Sequence, residues 1–415
     1  MTSSLPSPDR RSLIQASAGG ALAFALSPRL LAARPRLKAP VKIALVGAGR
    51  QGRGILAELA KFEDVTLAGV CDVDERRLKS ASRRAKGAPT YSSMDALLEG
   101  QPDLDAIVIA TPSHLHRAPA ERALAAGKHV YCEAPLATTI ADARAIVAAA
   151  RKAERVFQTG LLGRANPVYA LARSFVRTGA IREVFSMRAQ THIKNSWRTP
   201  ASDPARERAL NWRLDPEVSL GLAGEFGVHQ FDVVHWYTGQ YPSSVRATGG
   251  VMAWKDGREV PDTVHVQHRY PSEAQLDWSG TLGNTYGETQ EELFGTMGAV
   301  RLAWSHGWMF KEADAETLGW EVYANRQQFH NDEGITLIAD ATQLAAQGKL
   351  TDGVGLPHPA LYYGLETFLK SVTEGAPVAC SAEEGLRATV VAVQTDQALR
   401  SGEEVAITPE MLEAE

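Results

Sequence analysis

The sequence predicts an α/β chain of two domains: an N-terminal doubly wound parallel sheet, then an α+β domain built on a large, mostly antiparallel open sheet. Three observations carry that expectation. A glycine-ended apolar run, "VKIALVGAG", leads directly into a helical period. Strand and helix patterns then alternate to about residue 160. Beyond that point several segments alternate apolar and polar residues with period two, the mark of sheet with one covered face. At 415 residues the chain also exceeds a comfortable single core. The divisions expected are a leader and linker over 1–40, a first domain over 41–160, a second over 161–375, and a closing segment over 376–415 that returns to the first domain.

Composition is that of an ordinary globular protein, 44% hydrophobic and 22% charged. A formal net charge of -4 gives no electrostatic footprint for nucleic acid or an anionic membrane. No long, strongly apolar run follows the leader, so no membrane span is expected in the mature form. Of the cysteines Cys71, Cys132 and Cys380, the first two lie in apolar runs and read as small core residues, and no structural disulfide is expected.

The leader carries Arg10-Arg11, then Ser12-Leu13-Ile14-Gln15 and an Ala/Gly-rich apolar stretch to about Leu26. A twin arginine before a weakly hydrophobic segment is the pattern of the twin-arginine export route, which implies the translocase as a transient partner and a periplasmic destination. Protein exported folded carries its cofactor along but meets little free dinucleotide outside. Any dinucleotide is therefore expected to be tightly held and recycled within one site.

From Val41 the apolar strand ends in Gly47, Gly49 and Gly52, which fit G-x-G-x-x-G, and "ILAELAKF" continues as helix. The first glycine permits the tight turn, the second lets backbone approach a pyrophosphate, and the third allows close helix–strand packing. Arg50 and Gln51 sit within the motif. A second strand, "VTLAGVCDVD", ends in Asp72, at the spacing expected of an acidic residue that binds a ribose 2'-hydroxyl. This points to a Rossmann domain binding NAD, with Arg76 and Arg77 leaving NADP open.

Further on come Thr111-Pro112-Ser113-His114-Leu115-His116 and then "AGKHVYCEAPLATT". From Val41 to about Thr139 the chain resembles the Gfo/Idh/MocA family of sugar oxidoreductases, which shows a T-P-N-x-x-H-type loop followed by an E-K-P loop. The resemblance implies that Thr111, Pro112, His116, Glu133 and Ala134 line the cofactor, with Glu133 also at the reacting centre. One departure stands out: the family's proton-relay lysine is Ala134 here, and a methyl group neither donates nor accepts a proton.

In the second half, "FSMRAQTH", "SSVRATGGVMAW", "DTVHVQHRY", "AQLDWSGTL", "QEELFGTM" and "AVRLAW" read as strands. The family places such a sheet after the Rossmann domain, with the substrate cleft between them and subunit contacts on the open face, so a homodimer or homotetramer is implied. The segment "GLAGEFGVHQFDVVHWYTG" is similar to the family's D-x-G-x-H-x-x-D: His229 and Asp232 match, and Glu225 replaces the first aspartate. Helical spacing puts Glu225 and His229 on one face, and a histidine beside a carboxylate makes a general base near neutral pH. The catalytic candidates are thus His229, Glu225, Glu133 and Asp232. In "THIKNSW" and "LNWRL", His192, Lys194, Trp197, Trp212 and Arg213 are suited to gripping a sugar's hydroxyls and C–H face. Lys194 is also a candidate stand-in for the missing lysine. A strand sends His265 and His268 to opposite faces, and no metal site is expected.

Three functions are consistent with this pattern. The first is an NAD(P)-dependent oxidoreductase acting on a sugar or sugar derivative with internally recycled cofactor. The second is a redox-neutral glycoside hydrolase working by oxidation, elimination, hydration and reduction. The third is a non-catalytic dinucleotide- and sugar-binding protein.

Overall fold

The computed structural model describes residues 36–319, 321, 326–329, 332–337 and 355–414. The twin-arginine leader lies outside the described residues. The first sheet is wholly parallel and is assembled from β1 (Val41–Val46), β2 (Val65–Cys71), β3 (Thr90–Tyr91), β4 (Ala106–Ile109), β5 (His129–Cys132) and β6 (Phe157–Thr159) in the order β3-β2-β1-β4-β5-β6. That is the doubly wound dinucleotide-binding order, with its crevice at the carboxyl ends of β1 and β4. Ile43, Leu45, Ile107 and Val108 are fully buried, as strands covered on both faces require.

Helices α1 (Arg50–Leu59), α2 (Glu75–Arg84), α3 (Met94–Gly100), α4 (Arg117–Ala125) and α5 (Ile140–Ala153) supply the crossovers. Each of α2, α3 and α5 has a side-chain N-cap, from Asp74, Ser93 and Thr139. The N-terminus of α1 follows Gly49 and has none, so its amides are left for a ligand.

After α6 (Pro167–Arg177) the chain enters the second sheet at β7 (Val184–His192). Helices α7 (Pro204–Leu210) and α8 (Val228–Thr238) follow, then β8 (Ser244–Gly250), β9 (Thr263–Arg269), β10 (Gln275–Thr281), β11 (Thr289–Gly295), β12 (Gly298–Ala303), β13 (His306–Lys311), β14 (Arg326–Phe329) and β15 (Asp332–Leu337). With a last short strand, β16 (Val405–Ala406), the order is β14-β15-β13-β12-β11-β7-β10-β9-β8-β16. Only the β7–β10 pair is parallel. One face packs Met187, Leu276, Trp278 and Leu293 against the helices, and the other carries Arg188, Gln190, Arg246, Gln267 and Asp277. His265 is exposed and His268 buried, as alternation requires.

The domain division needs one correction. The return to the first domain begins earlier than residue 376: helix α9 (Ala360–Glu374) already packs Tyr362, Leu365, Phe368 and Leu369 into the core formed by Ile43, Leu45 and Ile55. Helix α10 (Ala382–Ser401) then spans both domains, packing on α5 and β6 of the first and on α8 and β8 of the second. Among the described residues, no helix is long and apolar enough to cross a membrane. The three cysteines are buried free thiols.

Candidate active site

The glycine turn is built by steric exclusion. Gly47 has φ +98°, and a Cβ there would lie 2.5 Å from the Ala110 carbonyl carbon. A Cβ at Gly52 would lie 1.9 Å from the Gly47 oxygen. At Gly49 the nearest atom to such a Cβ is the Arg77 guanidinium at 3.9 Å, leaving an open approach to the bare N-terminus of α1. Asp72 is buried and braces this turn: its Oδ2 accepts from the Ala48 amide at 2.7 Å and its Oδ1 from the Asp74 amide at 2.8 Å. Arg50 is exposed beside the turn.

A cleft of about 680 Å³ opens there, lined by Gly47, Gly49, Asp72, Thr111, Pro112 and Trp212 among others. Thr111 Oγ1 and His114 Nδ1 face it as buried polar atoms without protein partners. A glycine cradle, uncapped helix amides and unpartnered polar atoms fit a dinucleotide. The second domain covers the cleft: Ala209 and Trp212 line it, Trp212 lies 5.7 Å from the His114 ring, and Arg206 of α7 pairs with Asp74 at 2.7 Å.

Glu133 is buried at the end of β5, its Oε1 accepting from Gln51 Nε2 at 2.9 Å. Burial raises its pKa to about 7, against the opposing Gln51 hydrogen bond. Ala134 follows, half-buried, and packs against the apolar cluster of Leu161, Leu220 and Val228. His116 does not face the cleft. It is 1% exposed, with Nδ1 2.9 Å from the Pro135 oxygen and Nε2 3.0 Å from the Thr111 oxygen, and ties together the two loops that line the cofactor side.

The segment around His229 differs most from the helical expectation. Residues Ala223–Gly227 form a π-turn before α8. Glu225 lies within this turn, and the expected carboxylate–imidazole pair with His229 is not formed. Glu225 instead accepts from Ser113 Oγ at 2.8 Å and from Arg213 Nε at 2.6 Å. His229 is half-buried, its Nδ1 buried and unpartnered, and desolvation lowers its pKa to about 4. Its aromatic neighbour is Trp304, centroids 6.5 Å apart and edge-on at 70°.

Asp232 is also placed away from His229. It is 2% exposed and takes a bidentate hold from Arg164, whose Nε and Nη2 lie 2.9 and 2.8 Å from its two oxygens. Arg164 bonds Glu384 as well. Burial opposes the Arg164 charge, but Asp232 outweighs it and raises the guanidinium pKa. Through Asp232 and Glu384, Arg164 fastens α8 to α10.

Of the sugar-gripping candidates, Trp197, Trp212 and Arg213 gather around Glu225. Arg213 lies 4.4 Å over the Trp212 ring and 5.9 Å over the Trp197 ring, and Trp197 packs on Phe226 at 5.4 Å. His192 and Lys194 are not brought to them. His192 projects on the open face of the sheet, opposite Thr191, and contacts Ser279 Oγ at 2.9 Å and the Tyr286 oxygen at 3.1 Å. Lys194 is exposed, its amide donating to Thr285, and does not stand in for the missing lysine. The period-two register of β7 sends His192 away from α8.

Comparison with known proteins agrees with this architecture. The sequence profile described as "oxidoreductase family, NAD-binding Rossmann fold" matches residues 41–161, and the same family's C-terminal alpha/beta domain matches residues 173–407. Inositol 2-dehydrogenase of Acidothermus cellulolyticus is 32% identical over 266 residues, 63% of this chain and 73% of that protein. The 2,7-anhydro-N-acetylneuraminate hydratase of Escherichia coli is 27% identical over 269 residues, 63% of this chain and 67% of that one. In fold, levoglucosan dehydrogenase in complex with NADH and levoglucosan superposes with a TM-score of 0.70 at 21% identity, covering 89% of this chain and 99% of that chain.

Proposed function

The chain belongs to the Gfo/Idh/MocA oxidoreductase family and is an NAD(P)-dependent oxidoreductase, and from that premise we propose that it oxidises a secondary hydroxyl of a sugar or sugar derivative with His229 as the base. The observation that carries this is the His229 imidazole itself: half-buried, with a buried and unpartnered Nδ1, one residue from Val228, which packs with Ala134 of the first-domain loop. Bound NAD supplies the hydride acceptor.

The chain's own residues do the rest. Gly47, Gly49 and Asp72 shape the diphosphate and ribose cradle, and Thr111 and His114 offer it unpartnered polar atoms. His229, neutral because burial disfavours its cation, takes the hydroxyl proton. A base whose conjugate acid is destabilised by burial also gives the proton back readily. That suits a cycle in which a second carbonyl substrate recovers the hydride and the dinucleotide never leaves. Glu225, held by Ser113 and Arg213, ties the two cleft walls together rather than orienting the imidazole.

A second reading, redox-neutral elimination and rehydration, is favoured by Glu133. Its pKa near 7 makes it a second proton carrier in a site that has lost its lysine, and the relationship to an anhydro-sugar hydratase points the same way. Export by the twin-arginine route is proposed on Arg10-Arg11 and the apolar stretch that follows. Purified protein incubated with sugars and polyols tests the main reading: reduced-nicotinamide absorbance should rise in wild type and not in H229N. Failure of every candidate to reduce bound cofactor overturns it and leaves the non-catalytic binder. Solvent deuterium at the carbon next to the oxidised one, with release of a leaving group, marks the elimination route.

A further inference from the structure

His229 lacks the carboxylate partner that normally orients a catalytic imidazole, yet its surroundings are far from unorganised. Trp304 sits at the tip of the β12–β13 hairpin with φ +50°, a left-handed conformation that costs a bulky residue free energy. Both of its backbone polar groups are held by side chains. Its amide donates to Tyr169 Oη at 3.2 Å, and its carbonyl accepts from Asn166 Nδ2 at 2.5 Å. Asn166 is fully buried and at the same time caps α6. The strained tip is thus fixed from both ends.

Tyr169 leads on to a buried frame. Its hydroxyl donates to Glu291 Oε2 at 2.5 Å, and Glu291 Oε1 accepts from Gln230 Nε2 at 2.9 Å. Gln230 also accepts from Trp278 Nε1 at 2.6 Å and from Thr191 Oγ1 at 2.8 Å. Gln230 is the residue after His229. The contacts therefore close a ring: His229, Gln230, Glu291, Tyr169, Trp304 and back to His229 through the edge-on indole. Glu291 and Gln230 are both 0% exposed, and no cation pairs with this carboxylate in the frame. A buried polar frame whose members are all hydrogen-bonded to one another holds them in one geometry.

We propose that Trp304 is the positioning residue of His229, doing through packing and a braced hairpin what an orienting carboxylate does elsewhere. This rests on His229 being the base. The indole edge limits rotation of the imidazole, and the frame transmits the position of the sheet to both rings. A displacement of about 1 Å at such a base is worth up to about 100-fold in rate.

The test uses the full-length protein with W304A, W304F, Y169F and H229N. Each is assayed for kcat, KM for the sugar, NADH affinity by fluorescence titration and Tm. W304A should lower kcat by about 100-fold, with sugar KM and NADH affinity within about twofold of wild type. W304F should recover most of that loss. Y169F, which keeps the indole but removes the acceptor for its amide, should fall between them and decides the matter if W304A does not fold. A W304A enzyme with normal kcat, or one whose only change is a raised KM, overturns the proposal. So does a kcat loss that W304F fails to restore. If H229N itself retains full kcat, the reading of His229 as base fails and the proposal with it. An inactive H229N beside an unimpaired W304A sinks the positioning role alone.

Discussion

Ser113 Oγ donates to Glu225 Oε1 at 2.8 Å, joining the loop after β4 in the first domain to the π-turn of the second. In the family pattern these positions read Asn and Asp; here the first-domain residue is shorter and its partner one methylene longer. The two changes compensate in reach. E225D should leave the carboxylate short of Ser113 or Arg213 and reduce kcat/KM by up to about 100-fold, and pairing it with S113N should restore part of the loss. Steady-state kinetics of the double-mutant cycle checks this; strictly additive effects would show the two residues to be uncoupled.

Arg206 and Asp74 form a second connection between the two domains, near in sequence to Ala209 and Val73 of the cleft lining. The pair is partly exposed, with side chains 29% and 13% accessible, so its worth is about 0.5–1 kcal/mol. R206A should therefore speed NADH release by about two- to fivefold without changing the chemical step. Arg206 is the residue to change, because Asp74 also caps α2. Stopped-flow fluorescence of NADH displacement gives the rate, and high salt should mimic the variant.

Asp232 separates a structural from a catalytic role. Removing one member of a buried ion pair strands the other, and D232A should cost about 3–5 kcal/mol in unfolding free energy. At a temperature where the variant is folded, its kcat should stay close to wild type. A large fall in kcat with unchanged denaturant midpoint would return Asp232 to the reacting centre.

The pH dependence follows from two desolvated groups with opposite signs. His229 has its pKa lowered to about 4, so it remains a competent base well below the range of free imidazole, and the acid limb of kcat/KM should lie below about pH 6. The same shift means stability is lost as pH falls from 6.5 toward about 4, where the unfolded chain binds the proton more readily. Glu133, raised from 4.5 to about 7, acts in the other direction and loses stability as pH rises through that window. E133Q should accordingly gain on wild type in unfolding free energy at about pH 8 relative to about pH 5. Denaturant melts at the two pH values decide it; a constant difference would mean that Glu133 is not held neutral in the folded protein.

Restoring the family's lysine should not restore its chemistry. Ala134 is half-buried and packs with Leu161, Leu220 and Val228, so A134K crowds that cluster and should lower stability by about 1–3 kcal/mol from overpacking. Thermal melts and turnover of A134K give the answer; a stable, faster enzyme would show that the pocket has room for a proton relay.

What could be read beforehand divides along physical lines. Gly47 and Gly52 announce a turn because only glycine satisfies their local sterics, Gly49 leaves the approach to the helix N-terminus open, and the period-two strands announce a sheet because burial alternates along the chain. That Glu225 turns to Ser113 and Arg213 and not to His229 was not readable, since both partners lie outside "GLAGEFGVHQ". Asp232 meets Arg164 from a segment 68 residues earlier, a pairing that no local pattern encodes. Trp304 looked like the last residue of an apolar strand; its significance comes from Asn166 and Tyr169, both distant in sequence. The early return of the chain at Ala360 was legible in the apolar stripe of α9 but was hidden by an expectation that the second domain ran on.

Helix α10 grips α5 and β6 on one side and α8 and β8 on the other, and its Thr389 hydroxyl receives the Leu136 amide just beyond Pro135. The halves of this protein are consequently not modules that can be swapped or expressed apart. They should melt together in one calorimetric transition, and any large opening of the crevice must bend or release the helix that spans it.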